Sequence, residues 1–421
     1  MKDKYQTVIV GAGPAGLSAA ISAKNSGLSD ILVVERDDRP GGILNQCIHS
    51  GFGLHQFGQE LTGPEYAAKL EEIFYSLNID LMLSTMVMDI TKDKKVTLMN
   101  EEIGAKTIST DSVILAAGCL ERPRGALGIP GYRPAGIFSA GTAQRLMNLE
   151  GYQIGKNVVI LGSGDIGLIM ARRLTLEGAN VRLVAEIMPY STGLKRNIVQ
   201  CLDDFGIPLL LSHTVVDILG KEHITGVVIA EVDENKKPID STKRKIDCDC
   251  LLLSVGLIPE NELSKNMGIA LSKATKGPNV DQHFMTDIDG VFAAGNVLHV
   301  HDLVDNVSKE AALAAKSAAA YVKGKLRNNH EKIKVDVSGG IRYAVPEYIN
   351  PQELDEIITF RFRPDSIYKN KKITLKINDE AVLIRPKKIL SPGEMESLVI
   401  SKNIFSGCGK LSRICLSLED N

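Results

Sequence analysis

The sequence predicts an α/β fold, with two doubly wound, parallel-sheet domains followed by a small C-terminal β-rich domain. Three observations predict it. A strand–glycine loop–helix–strand unit opens the chain at residues 7–36, the same design returns at 157–186, and past about residue 335 helical patterning gives way to alternation and a hairpin signal. At 421 residues the chain exceeds one ordinary core, and 44% hydrophobic with 24% charged residues describes a globular protein. A net charge of −2 gives no electrostatic case for nucleic acid. No apolar run reaches the ~18 residues of a spanning helix, and MKDKYQ leads straight into a strand, so no signal peptide is expected. Seven cysteines scattered without a framework fit a reducing compartment, and a cytoplasmic location is expected.

In the first unit the apolar run Val8-Ile9-Val10 enters Gly11-Ala12-Gly13-Pro14-Ala15-Gly16, a small-residue helix follows, and Ile31 to Val34 leads to Glu35 and Arg36. Gly11 permits the tight turn, Gly13 lets backbone N–H groups approach a diphosphate, and Gly16 lets helix and strand pack closely. Glu35, 19 residues past Gly16, is placed to accept from ribose hydroxyls. The helix start adds partial positive charge. A lone glycine pattern is a bland turn; with both strands, the helix and the acid in order it is a Rossmann-like dinucleotide-binding unit. After Gly41-Gly42 a Gly-, His- and Gln-rich loop at 43–66 is expected to reach a cofactor's far end. A helix at 65–77 and strands at 81–90 and 95–99 follow. The buried strand 111–118 ends on Ala117 and Gly118, ahead of the exit at 121–124.

The repeat runs from the strand 157–161 through Gly162-Ser163-Gly164-Asp165-Ile166-Gly167 to a strand ending on Glu186, again 19 residues past the third glycine. Glu186 suits a free ribose 2′-hydroxyl and would repel a 2′-phosphate; the next basic residues, Lys195 and Arg196, lie well beyond it, which favours NAD(H) over NADP(H). A strand at 250–255 ends at Gly256. A short strand ending Ala294-Gly295-Asn296 precedes an alanine-rich helix at 306–322, for which Asp305 or Ser308 would be the cap. Residues 323–332 form a basic linker. Strands at 373–377 and 381–384 flank the turn Asn378-Asp379.

This ordered set (Gly11 to Gly16 with Glu35, the Leu115-Ala116-Ala117-Gly118 exit strand, Gly162 to Gly167 with Glu186, and 286–296) resembles the two-dinucleotide-binding-domain flavoproteins of the pyridine nucleotide–disulfide oxidoreductase superfamily, over residues 1 to about 325. The resemblance implies a glutathione-reductase-like arrangement: FAD on residues 1–122 and 259–330, NAD(H) on 123–258, the flavin ring between them, and a β-rich domain at 335–421. The cofactor-binding set it implies is Gly11, Gly13, Pro14, Ala15, Gly16, Glu35, Arg36, Gly42, Ala117, Gly118, Gly295 and Asn296 for FAD. For NAD(H) it is Gly162, Gly164, Asp165, Ile166, Gly167, Glu186 and Gly256. Residues 41–47 and 295–302, with the extra β domain, are similar to FAD subunits of the opine oxidase, cyanide synthase and amino-acid dehydrogenase type. Such subunits often sit with a second flavoprotein dehydrogenase subunit, which implies that partner and a small-molecule substrate and leaves oligomer formation open.

Departures from the pattern shape the reading of function. Disulfide reductases of this kind carry a dithiol, whereas the loop after Gly42 has only Cys47; the usual ribityl-binding Asp is Asn296. The expected reaction is FAD-dependent hydride transfer with NAD(H), electrons passing to a partner subunit or small acceptor. The alternatives are an accessory electron-transfer subunit of an amino-acid, opine or glycerol-3-phosphate dehydrogenase complex with an idle nicotinamide site, and a single-cysteine disulfide or peroxide reductase. No catalytic residue is assigned. Cys47 is a redox thiol or a packing residue; His299, His301 and Asp302 are acid–base groups or a polar turn; His49 and His55 are weaker candidates of the same kind. Cys248, Cys250, Cys408 and Cys415 match no standard iron–sulfur spacing and read as scattered structural thiols. No HExxH or paired zinc spacing exists, and no metal is expected.

Overall fold

The computed structural model describes residues 2–327, 331–405 and 410–420. It divides into two compact units, Met1–Cys119 with Pro259–Asn421 and Leu120–Ile258.

In the first unit, Lys4–Val10 lies between Ile31–Val34 and Gly104–Leu115, parallel to both. Asp80–Met82 extends the sheet at one edge, and the antiparallel strands Lys95–Asn100 and Met86–Ile90 extend it at the other. Val291–Ala293 pairs in parallel with the end of Gly104–Leu115, so the later part of the chain returns into the sheet of the earlier part. Fully buried Val, Ile and Leu in the central strands follow from a sheet covered on both faces. Helix Pro14–Asn25 packs on helix Val304–Val322, and the buried residues of both are mostly small, among them Ala19, Ala20 and Ala23 in one and Ala311, Ala315, Ala318 and Ala319 in the other. Ser22 Oγ reaches the Ala312 carbonyl at 2.7 Å, an approach that bulkier residues would prevent. Helix Gly63–Ser76 starts at a capping box, in which Glu65 N–H donates to Thr62 Oγ1 while the Glu65 carboxylate accepts from Thr62 N–H at 2.7 Å. It buries Tyr66, Ala67, Leu70 and Phe74 on one stripe.

The second unit carries five parallel strands in the order Ile137–Ser139, Cys250–Leu253, Asn157–Leu161, Asn180–Glu186, Leu209–Leu211. Helices Ala140–Asn148 and Asp165–Leu176 supply buried Ala143, Met147, Leu168, Met170 and Leu174 to its core. Strands His213–Leu219, Gly226–Glu231 and Arg244–Asp247 form an antiparallel sheet beside it.

The β-rich region has a five-stranded and a three-stranded sheet around its own core of Phe360, Phe362, Ile373, Leu375, Leu398 and Leu416. The expected hairpin is present: Tyr368–Ile377 and Glu380–Leu390 are joined by Asn378 and Asp379, both at positive φ (48° and 70°), the geometry of a two-residue type I′ turn. Strand Ile341–Val345 shares its side chains out, Ile341 and Ala344 to this core, Tyr343 and Val345 to that of the first unit. The stretch read as a polar, basic linker is tied down at its end. Lys332 is mostly buried and pairs with Asp281 at 2.7 Å, because the β-rich region packs back on the first sheet domain; residues 328–330 lie outside the described residues. Among the described residues no helix is long and apolar enough to cross a membrane.

Phe360 has no exposed surface, so Phe360→Ala removes a ring from a close-packed core. Urea denaturation is expected to report a loss of about 3–5 kcal/mol for this region; a shift under about 1 kcal/mol would contradict the packing described.

Candidate functional site

The first cradle is built by exclusion of side chains. Gly11 turns the chain at φ +102°, its N–H donating to the Val34 carbonyl at 2.8 Å. A Cβ on Gly16 would sit 1.8 Å from the Gly11 carbonyl oxygen, so only glycine allows the helix to start here. Pro14 opens the helix and Gly13 precedes it in extended conformation, with nothing within 4 Å of a Cβ placed there. The helix thus presents free N–H groups into open space. Glu35, 7% exposed, accepts the Ala12 N–H at 2.7 Å and the Asp37 N–H at 2.9 Å; each oxygen keeps a lone pair for a ribose hydroxyl. Gly42 lies over the same opening, a Cβ there falling 3.0 Å from Gly13 Cα, and Ala15 closely faces Gly295. Gly118 borders open space, Ala117 is half-buried and Arg36 is exposed.

Asn296 uses both ends of its amide, Oδ1 accepting the His301 N–H at 3.0 Å and Nδ2 facing Cys119 Sγ at 3.7 Å. A carboxylate could not make the second contact as a donor. Neither expected residue caps helix Val304–Val322. Asp305 instead accepts N–H groups of Gly53, His55 and Gln56 at 2.7–3.2 Å, and Ser308 accepts the Tyr66 hydroxyl at 2.8 Å. The loop and helix that fold back over this helix start take those side chains before its own backbone can.

The second cradle repeats the first. Gly162 turns at φ +96°, and a Cβ on it would fall 2.0 Å from the Ser254 carbonyl oxygen. Gly167 has no room for one either, and its N–H donates to Ser254 Oγ at 3.0 Å. Gly164 is open, with the nearest atom 3.5 Å from an added Cβ. Glu186 accepts the Ser163 N–H and hydroxyl (2.9 and 2.6 Å) and the Met188 N–H (2.9 Å), the bonding pattern of Glu35 over again. Asp165 holds the following loop through Leu194 N–H and Asn197 Nδ2, Ile166 is half-buried, and Gly256 borders open space at φ +103°. These donors and openings fit a dinucleotide at each site.

The single-residue candidates sit as follows. Burial pushes the Cys47 thiol up to about 12, which disfavours the thiolate that a redox role needs. Cys248 and Cys250 are buried and also pushed to about 12, and Cys408 lies outside the described residues. His49 is half-buried beside Phe52, and Asp302 pairs with Arg363. His299 is fully buried, which drives its pKa down to about 4 and leaves it neutral. Its Nε2 bonds Glu310 Oε2 at 2.9 Å, and His301 Nε2 lies 3.3 Å from the same oxygen. His299, His301 and Glu310 are ligand types close enough for a metal ion. However, Arg361 Nη1 stands 3.2 Å from that oxygen and fills a cation's role, and neither histidine Nδ1 has the second acceptor that ligating histidines use.

Glu310 and Arg361 were not singled out from the sequence. The signal for Glu310 is its place on the stripe of Val307, Ala311, Ala314 and Ala318, where a charge has to be buried.

A model of the pyridine nucleotide-disulphide oxidoreductases matches residues 5–318. An opine oxidase subunit of Agrobacterium tumefaciens is 27% identical over 70% of this chain and 62% of its own length. Hydrogen cyanide synthase subunit HcnB of Pseudomonas protegens is 27% identical over 62% and 58%. The chain thus spans about six-tenths of those two relatives. Thioredoxin reductase of Ureaplasma parvum is 26% identical over 78% of this chain and 99% of its own. Among solved structures, thioredoxin reductase of Lactococcus lactis superposes with a TM-score of 0.62 at 23% identity, over 76% of this chain and 99% of that one, a likeness of fold.

The two cradles are separately testable. Gly13→Ala and Gly164→Ala keep allowed backbone angles and meet no clash, so thermal stability should stay within about 0.5 kcal/mol of the parent. If the first cradle takes FAD and the second NAD(H), as expected from the sequence, Gly13→Ala should weaken FAD binding alone and Gly164→Ala NADH binding alone, each by roughly tenfold or more. Fluorescence titration checks both.

Proposed function

The chain belongs to the pyridine nucleotide-disulphide oxidoreductase family of FAD- and NAD(P)H-dependent enzymes, and on that premise we propose that it passes a hydride between NAD(H) and FAD. The electrons are exchanged with a partner subunit or small acceptor and not through a redox dithiol. In this reading FAD is held by residues 1–122 and 259–330, NAD(H) by 123–258, and residues 335–421 form a separate β-rich domain. The observation that carries it is the pair of complete cradles, each closed by its own buried carboxylate, in a chain whose loop after Gly42 holds Cys47 and no second cysteine. Its seven cysteines include no Cys-x-x-Cys pair.

When bound, the flavin supplies two-electron chemistry with nicotinamide. The protein's part is to bind and orient. Free N–H groups at Gly13–Gly16 offset diphosphate charge, Glu35 orients a ribose, and the Gly295–Asn296 turn borders the first cradle. At the second cradle Glu186 favours a free 2′-hydroxyl, hence NAD(H). Two relatives are named as subunits, which supports a partner subunit for this chain and favours a second reading, an accessory electron carrier whose nicotinamide site is idle.

Anaerobic titration separates the two. NADH should bleach the visible flavin band at near-stoichiometric amounts, NADPH less effectively, and Cys47→Ser should behave as the parent. No bleaching by NADH would sink hydride transfer and leave the accessory reading; loss of bleaching in Cys47→Ser would return the thiol to the mechanism.

A further inference from the structure

One buried carboxylate ties the first cradle to the β-rich region. Glu310 Oε1 accepts the Gly295 N–H at 2.9 Å, holding the turn that faces Ala15 at the helix start. Its Oε2 accepts from His299 and faces Arg361 Nη1 at 3.2 Å. Both partners of this ion pair are buried, Glu310 completely and Arg361 to 6% exposure. Arg361 comes from strand Ile357–Pro364, whose alternate residues Ile358, Phe360 and Phe362 fill the β-rich core. The opposite face of that strand therefore delivers Arg361, and two residues on Arg363, to the segment after Asn296. Arg363 pairs with Asp302 and donates to the Val300 carbonyl at 3.1 Å, without a contact to Glu310.

We propose that Arg361 is a positioning residue for FAD: acting through Glu310, it holds the Gly295–Asn296 turn in its binding shape, so that the seated β-rich region sets flavin affinity. This rests on the first cradle being the FAD site. A carboxylate with no exposed surface needs a fixed counter-charge to stay ionised. The groups facing Glu310 are His299 and His301 from its own turn, Arg361 from the β-rich strand and, further off, Glu347. Burial works against its charge, yet His301, the His299 hydrogen bond and the Arg361 guanidinium together reverse this and hold its carboxyl well below the usual range. Its bonds to Gly295 and His299 thus persist through neutral and mildly acidic pH and fail only when pH falls through that depressed value. Without Arg361 the cost of burial weighs more heavily on the carboxylate, and a proton arriving on it removes an acceptor from Gly295 or His299. The acid limit of FAD binding then moves upward.

The test uses the full chain and reads FAD affinity by fluorescence between about pH 6 and 8, with thermal unfolding of the flavin-free protein alongside. Arg361→Met should weaken FAD roughly tenfold or more, increasingly at the acid end, and Arg361→Lys should restore most of the affinity. Arg363→Met should lower the unfolding temperature but leave FAD affinity and its pH profile as in the parent. Arg361→Gln gives the same reading as Arg361→Met should the latter not fold. Parent-like affinity at every pH in folded Arg361→Met or Arg361→Gln would overturn the proposal, and so would an equal loss in Arg363→Met, which would make docking alone the cause. A parent chain that takes up no FAD at any pH would overturn the FAD reading of the first cradle itself; a flavin-loaded parent beside an indifferent Arg361 variant would overturn only this one.

Discussion

The closeness of helix to strand at Gly16 and Gly167 is the constraint on which the rest depends. A side chain at either position would collide with atoms that cannot move: the Gly11 carbonyl oxygen in one unit, the backbone-fixed Ser254 side chain in the other. Given that contact, the helix start is pinned at the end of its strand, and its unsatisfied N–H groups point outward beside the neighbouring strand end. The carboxylates of Glu35 and Glu186 then have one place to go. Each bonds an N–H in the glycine loop and another just past its own strand, so acid and helix start are fixed against one another before any ligand arrives.

Around the first cradle three buried or half-buried polar side chains serve backbone N–H groups. Asp305 serves the loop at 53–56, Glu310 the Gly295 turn, and Asn296 the backbone of His301. Each takes a side chain that propensity alone would assign to capping or to solvent. Buried acids in a low-dielectric interior are stable only when their acceptor sites are filled, and here backbone N–H groups fill most of them. The β-rich region supplies a fixed positive charge beside Glu310, that of Arg361.

The sequence made the cradles legible because glycine spacing and strand-end acids are local: Gly11 to Glu35 and Gly162 to Glu186 each fall within one βαβ unit. The hairpin at Asn378-Asp379 was readable for the same reason. What escaped it was non-local. Nothing near residue 361 in the chain announces Glu310, and the cap expected of Asp305 lost to loop N–H groups some 250 positions away in sequence. His299 read as an acid–base group or part of a polar turn, and its burial beside Tyr343 comes from tertiary packing that no local pattern announces.

The return of Val291–Ala293 into the opening sheet also has a bearing on how the protein is made. Emerging residues 1–119 lack that strand and the alanine-faced helix that covers Pro14–Asn25, whereas residues 120–258 hold every strand of their own sheets. On the ribosome the inserted unit can therefore close first, while apolar surface laid down earlier waits for some two hundred further residues. The first cradle is among the last parts of the chain to take shape, although its glycines are among the first to be synthesised.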